Sequence, residues 1–588
     1  MRLGALAAGL FGAAAGAGLA EDQAGAPLPL FPMTGEAPAE AAPATPEAAA
    51  PKGIVVQSLA TVDPEAFGIL GAAGDPWAAD GGARLWGGTP LDTALARVKG
   101  LPVASPSPAV RGMVRLLLES ASAPIVPAPP RPGAWTAARA EALVAAGLAE
   151  DARALLALAP RSAQNEATDL AFARAAWQAG DSASACTRAE ENLQHYDSPV
   201  WTRMSAVCAF LKGDAETARM KFNLLEDQGQ AGESFHVVMS RVLGGGRMSL
   251  PALPEGISEF EIAALARAKV RLPEDLPVAV SPWLLRMTLP EDGPVSDGVL
   301  LRLEDGLRRG LVKADAAEGI LGRLKAADSE LAQVRAFKTG AEGPRGRALY
   351  WRALQATQVP AARAEVISRL FAAARKEPGA WAAWAVVLHD SLVALADQPA
   401  AAWLAGDAAR ALLWTGDWHA AARWADLAKQ NAGSSEAAKA TAEALRPLLA
   451  FVTAPALASA RADVLVPVGA ALADPAVRPL RDRVLALARA FGFALRESDW
   501  HAALADPALP ATDAVSPSPV LAAAVTDAAH QSKPGETLAL AARMLGTGGD
   551  LGRLDPGAVG TAVRALLAAD APEWARRIAV ESLIAAGY

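Results

Sequence analysis

Aromatic side chains are scarce in this chain: Tyr occurs three times, and Phe, Trp and Tyr together make up 5% of 588 residues. Hydrophobic residues nevertheless reach 52%. Much of that apolar content is alanine, the strongest helix former and a poor filler of wide cores. Strand-like runs of Val, Ile and Tyr are almost absent, so the expected fold is all-α with closely packed helices. No basic block stands out and the net charge is −8, which argues against a nucleic-acid reader with a concentrated cationic surface. Beyond residues 1–20, no stretch approaches the roughly 18 consecutive apolar residues of a spanning helix. Signatures of chemistry are missing as well. The six histidines, at 195, 236, 389, 419, 501 and 530, have no partner at metal-ligand spacing. There is no phosphate-cradling loop ending in Gly-Lys-Ser/Thr and no Gly-x-Ser-x-Gly elbow. Neither a metal nor a cofactor is expected.

What is present is a glycine that recurs. Gly147, Gly180, Gly213 and Gly246 are spaced 33 residues apart, and alanine follows the first three after five positions, at Ala152, Ala185 and Ala218. A fixed period of this size marks stacked helical hairpins, since one hairpin cannot bury its own apolar face. Each unit reads as helix, Gly turn, helix: 171–179 then 181–193, and 201–212 then 214–226. Glycine accepts the left-handed turn, the Asp after it caps the next helix, and the small alanine lets the two helices approach.

The two cysteines flank the connection between two of these hairpins. Cys186 lies in the second helix of one hairpin and Cys208 in the first helix of the next. Their midpoint falls in the turn His195-Tyr196-Asp197-Ser198-Pro199. Antiparallel helices joined there bring the pair level, so a disulfide is geometrically feasible, two buried thiols being the alternative. Residues 1–20 have the pattern of a secretory signal: Arg2, an apolar stretch, then Gly18-Leu19-Ala20 before Glu21. A periplasmic location is expected, and it suits a disulfide. An uncleaved N-terminal anchor, which would give the only membrane contact, stays open.

Composition divides the rest. After the signal, 21–52 alternates Ala, Pro and Glu and is expected to be a disordered linker. A small irregular N-terminal module follows at 53–123, with a possible short strand at Ile54-Val55-Val56, coil pinned by Trp77 and Trp86, and short helices at 91–98 and 110–120. A proline-rich linker covers 124–133. TPR-like repeats are expected over 134–248, a proline-rich connection over 249–298, helical repeats over 299–450 and further helices over 451–588. Expected helices include 299–309, 315–327, 345–357, 361–376, 380–396, 484–495, 558–568 and 572–586. The segment Asp417-Trp418-His419-Ala420-Ala421 is echoed by Asp499-Trp500-His501-Ala502-Ala503, with Ser498 in the place of the turn glycine.

These units resemble the tetratricopeptide repeat family. Gly180-Asp181…Ala185, Gly213-Asp214…Ala218 and Gly416-Asp417…Ala421 are similar to that family's turn and small residue. Ala140, Ala173, Ala206 and Ala409 stand seven residues before the turn, and Trp135 and Trp201 match its early Trp. The usual Tyr is missing and the terminal Pro is out of register. The match covers about 134–245 and 400–430, so the resemblance is to architecture. It implies an α-solenoid whose grooves bind peptides or proteins.

Two further readings concern function. Trp381, Trp384, Trp403, Trp414, Trp418 and Trp424 cluster in 44 residues. They either fill the space that alanine leaves between helices or floor a groove for a peptide or glycan. Glu233-Ser234-Phe235 is superficially similar to the catalytic segment of soluble lytic transglycosylases, but the Gly-Leu-Met-Gln segment expected downstream is absent. The expectation is a non-enzymatic scaffold that binds envelope proteins or peptides in an assembly or secretion role. A glycan- or peptidoglycan-binding protein is the alternative, and a cell-wall enzyme a distant third.

Overall fold

Proline and glycine decide where the helices of this alanine-rich chain begin and end. The computed structural model describes residues 65–70, 83–125, 130–244, 249–273, 281–289, 293–336, 342–434, 436–453, 478–493, 495, 497, 501, 504 and 514–588. Expectations for the signal, the linker 21–52, the strand at 54–56, Trp77, Gly246, Ser498 and most of the second Asp-Trp-His-Ala-Ala segment lie outside them. Among the described residues the protein is all-α and has no strand, only isolated bridges such as Pro90 with Ile125.

The N-terminal part contains α1 (Ala83–Trp86), α2 (Leu91–Lys99) and α3 (Pro108–Glu119). A stack follows: α4 (Ala134–Ala145), α5 (Ala149–Ala157), α6 (Glu166–Gln178), α7 (Ser182–Asn192), α8 (Pro199–Leu211), α9 (Ala215–Asp227) and α10 (Glu233–Leu243). Then come α11 (Glu259–Arg267) and α12 (Pro282–Met287). The second stack holds α13 (Asp297–Arg308), α14 (Ala314–Gly322), α15 (Asp328–Arg335), α16 (Gly343–Gln355), α17 (Pro360–Ala374), α18 (Ala380–Leu395), α19 (Ala405–Thr415), α20 (Trp418–Asn431) and α21 (Glu436–Thr453). The last block is α22 (Arg478–Ala490), α23 (Pro519–His530), α24 (Pro534–Gly546), α25 (Pro556–Ala568) and α26 (Pro572–Ala585). Proline opens α3, α8, α17, α23, α24, α25 and α26, where its missing N–H has no helical partner to lose. The helix expected over 315–327 is shorter: α14 ends at Gly322, and α15 is a separate helix that starts at Asp328.

The recurring turn is a left-handed closure. Gly147, Gly180, Gly213 and Gly416 have φ of 74°, 76°, 87° and 87°. At Gly180 the next N–H, from Asp181, reaches back to the Ala176 carbonyl at 2.9 Å, which satisfies a helix-end acceptor. Asp181, Asp214 and Asp417 then accept the N–H of Ser184, Thr217 and Ala420 at 3.1, 3.0 and 2.9 Å. Ala152, Ala185, Ala218 and Ala421 are fully buried. The same closure occurs where no glycine marks it: Lys269, Ser532 and Asp570 have φ of 55°, 54° and 60°. A Cβ at Gly180 would meet nothing within 4 Å, so Gly180→Ala isolates the backbone term. It should destabilise the α6–α7 turn by about 1–2 kcal/mol, while Asp570→Gly should stabilise its own turn. Urea unfolding of the two variants checks both signs.

The stack does not end open. In place of a bare connection, 249–298 contributes α11 and α12, which lie across α4, α6 and α8, the first helices of the hairpins. Glu259 is buried there, accepting Arg174 at 2.9–3.2 Å and Gln178 Nε2 at 3.1 Å. At the other end α26 packs on α19, α21 and α3, and α3 packs on α4. Contacts therefore run in a circuit from α4 through α12, α13, α18, α19, α26 and α3 back to α4. Gly112 makes the junction of α26 with α3 possible, because a Cβ there would lie 2.4 Å from Trp574 Cη2.

Candidate functional site

The tryptophan cluster divides when folded. Trp384 and Trp424 are core residues, with indole N–H groups on Glu304 at 2.8 Å and on the Leu392 carbonyl at 2.9 Å. Both fill space between helices, one of the two roles the sequence offered for this cluster. Trp381 and Trp384 share a helix face by spacing, yet Trp381 turns to Phe371 and to Trp414, edge-on at 5.8 Å. Trp418 meets Arg577, whose guanidinium lies 5.9 Å from its ring and 5.3 Å from that of Trp574. Trp381, Trp414 and Trp418 are half-buried, and Trp403, on the turn Pro399–Leu404, is 53% exposed.

The other sequence candidates are dispersed. Cys186 and Cys208 form a disulfide between α7 and α8, their Cα atoms 5.6 Å apart. The repeat turns at Gly180 and Gly213 face open space around the missing Cβ. Glu233 is an exposed first-turn residue of α10, and Ser234 donates to Glu261 at 3.0 Å. His419 and His501, equivalent by sequence, are both exposed.

Several elements of the circuit converge on two cavities. One cavity of about 300 Å³ is lined by Pro108 and Arg111 of α3, Leu307 and Arg308 of α13, Ala314, then Ala382, Val386, His389 and Asp390 of α18, with Trp414 and Thr415. The four α18 residues recur at helical spacing and form one stripe. A second cavity, about 480 Å³, is lined by Val103, Ala104, Ala145, Arg174, Ser281, Pro282, Trp283, Arg308 and Arg309. Arg308 belongs to both. The cavities thus adjoin at this residue, and Val103 and Ala104 of the α2–α3 loop line one of them.

That loop is held firmly. Arg111 is half-buried and donates through Nη1 to the carbonyls of Ser105, Pro106 and Arg308 at 3.3, 2.7 and 2.7 Å. Burial pulls its guanidinium down to about 10. Gly310 makes room for it, since a Cβ there would lie 2.9 Å from Arg111 Nε. On the far wall His389 bridges Asp390 at 2.9 Å and Asp417 at 3.2 Å, joining α18 to the turn before α20. Neither bridge nor loop was visible in the sequence, because each depends on residues that only tertiary packing brings together. The nearest signal was the Arg308-Arg309 doublet just before Gly310.

Comparison with protein-family profiles, with characterised proteins and with solved structures finds no match to this chain. The cleft formed by the two cavities is concave, mostly apolar, and carries a few fixed polar groups, the general character of a ligand site.

Proposed function

We propose that this chain is a non-enzymatic, tetratricopeptide-like scaffold of the bacterial periplasm that binds a peptide segment of another envelope protein. The observation that carries the reading is the pair of cavities that share Arg308, one lined by Trp283 and the other by Trp414. The export-type residues 1–20 and the Cys186–Cys208 bridge support the compartment. A peptide suits the site better than a glycan. Two of the six clustered tryptophans are core, and the cleft offers discrete apolar recesses in place of a continuous aromatic platform.

The test is site-specific photocrosslinking in cells. A crosslinking residue at Ala104 or at Val386 should capture one and the same protein, and one at Leu224, exposed on α9, should not. Val386→Glu should abolish capture from Ala104. Equal capture from all three positions, or none from the cleft, would overturn the reading.

A further inference from the structure

The charge of the cleft is opposite to that of the chain. Its lining carries four guanidinium groups, Arg111, Arg174, Arg308 and Arg309, and one carboxylate, Asp390, in a protein of net charge −8. Asp390 has a side chain 99% exposed and points its carboxylate to His389. Behind the lining stand Glu259, engaged by Arg174, and Asp305.

Three of the four cations have structural duties. Arg111 braces the α2–α3 loop through backbone carbonyls, Arg174 holds buried Glu259, and Arg309, itself 8% exposed, takes Asp305 through Nε at 3.1 Å and Nη2 at 2.8 Å. Arg308 differs. It shares that same Asp305 through Nη2 at 2.5 Å, and among the described residues no other carboxylate reaches it. Its side chain remains 27% exposed, and it stands between the two cavities. Its position is also constrained: the stem lies over Gly379, where a Cβ would sit 2.5 Å from Arg308 Cδ. A ligand covering this guanidinium removes water from its remaining N–H groups, so a ligand without an acceptor there leaves charged donors unpaired.

We propose that the cleft selects an extended peptide segment with an internal Asp or Glu whose carboxylate bonds to Arg308, while apolar neighbours on either side enter the two flanking cavities. This rests on the peptide-binding reading above. The planar guanidinium matches a carboxylate in two parallel bonds, which a lysine cannot do. Replacing the acid by its amide should weaken binding about tenfold or more, the range for hydrogen bonds to charged groups. Affinity should also fall as salt rises, though less than for a fully exposed pair.

Fluorescence polarisation on the full chain tests this with three pools of labelled heptapeptides, randomised among apolar residues at the flanking positions and carrying Glu, Gln or Lys at the centre. The Glu pool should bind at least tenfold more tightly than the Gln pool, and the Lys pool least. Arg308→Gln should equalise Glu and Gln, and Arg308→Lys should keep only part of the preference; circular dichroism of both variants verifies folding. Equal binding of Glu and Gln pools to the unaltered protein overturns the acid preference but leaves the peptide reading standing. Absence of binding by every pool overturns both. Full displacement of the Glu pool by millimolar inorganic phosphate would show that a bare anion is the ligand, and would overturn the proposal.

Discussion

Glu304→Ala is expected to destabilise the second stack by about 3–5 kcal/mol, the usual penalty for stranding one member of a buried ion pair. Glu304 on α13 accepts Arg347 Nε and Nη2, both at 2.7 Å, and the Trp384 indole N–H at 2.8 Å. Arg347, on α16, is 1% exposed, and Trp384, on α18, is 2% exposed. One carboxylate thus ties three helices together. Its loss leaves a guanidinium without a counter-charge and an indole N–H without an acceptor, in a place water does not reach. Arg347→Ala should be similarly severe because it leaves the carboxylate buried. The double replacement Glu304→Leu, Arg347→Met removes both charges and should recover most of the stability. A double-mutant cycle by urea unfolding measures this. Additive single losses in the double variant would sink the argument that burial of an unmatched charge is the cause.

This triad shows why some of the structure was legible in the sequence and some was not. Turn glycines, capping aspartates and small alanines act within about ten residues of each other, so their spacing survives as a pattern. The disulfide was legible for a similar reason, since two level positions on adjacent antiparallel helices are fixed by the turn between them. Glu304, Arg347 and Trp384 are separated by up to 80 residues, and nothing in their local neighbourhoods marks them as partners. The turns at Lys269, Ser532 and Asp570 went unread for another reason. Their backbone takes the left-handed form under tertiary packing, although the residue type argues against it. The tryptophans illustrate the limit of periodicity: spacing places Trp381 and Trp384 on one face, but a helix enclosed by α13, α17 and α19 has a core on more than one side. The return of α26 onto α3, which creates the cleft, depends on contacts more than 400 residues apart, such as Ala109 to Glu581.

That same return contact should make the closure of the circuit sensitive to pH. Glu581 on α26 is buried and accepts the N–H of Ala109, at the start of α3, at 2.8 Å. Its other oxygen has no hydrogen-bond partner among the described residues. Burial pushes its carboxyl up to about 7, against the smaller opposing effects of the Ser107 hydroxyl, the Ala109 N–H and the Arg111 charge, with Asp550 adding to the rise. Glu119, at the end of α3, is raised to about 7 by burial as well, with Arg115 opposing. A folded-state value above the unfolded one means that folding favours the protonated form. The contribution is complete below about pH 4.5 and declines as pH rises through 7, where the folded carboxyl must ionise in place. For Glu581 the rise from 4.5 to about 7 corresponds to about 3 kcal/mol. Asp181, Asp214 and Glu150 act in the opposite direction: hydrogen bonds from Ser184, Thr217 and Arg286 lower their carboxyls, so their stabilisation fades on acidification. Between the two effects, greatest stability is expected near pH 5–6. Glu581→Gln retains an acceptor for Ala109 and cannot ionise. Hydrogen exchange of α3 and α26, corrected for intrinsic rates, should show protection falling from pH 5.5 to 8 in the unaltered chain and falling much less in the variant. At pH 8 the variant should be the more stable of the two by about 2–3 kcal/mol. Identical pH profiles for the two proteins would mean that Glu581 ionises freely, and that the α3–α26 junction admits water.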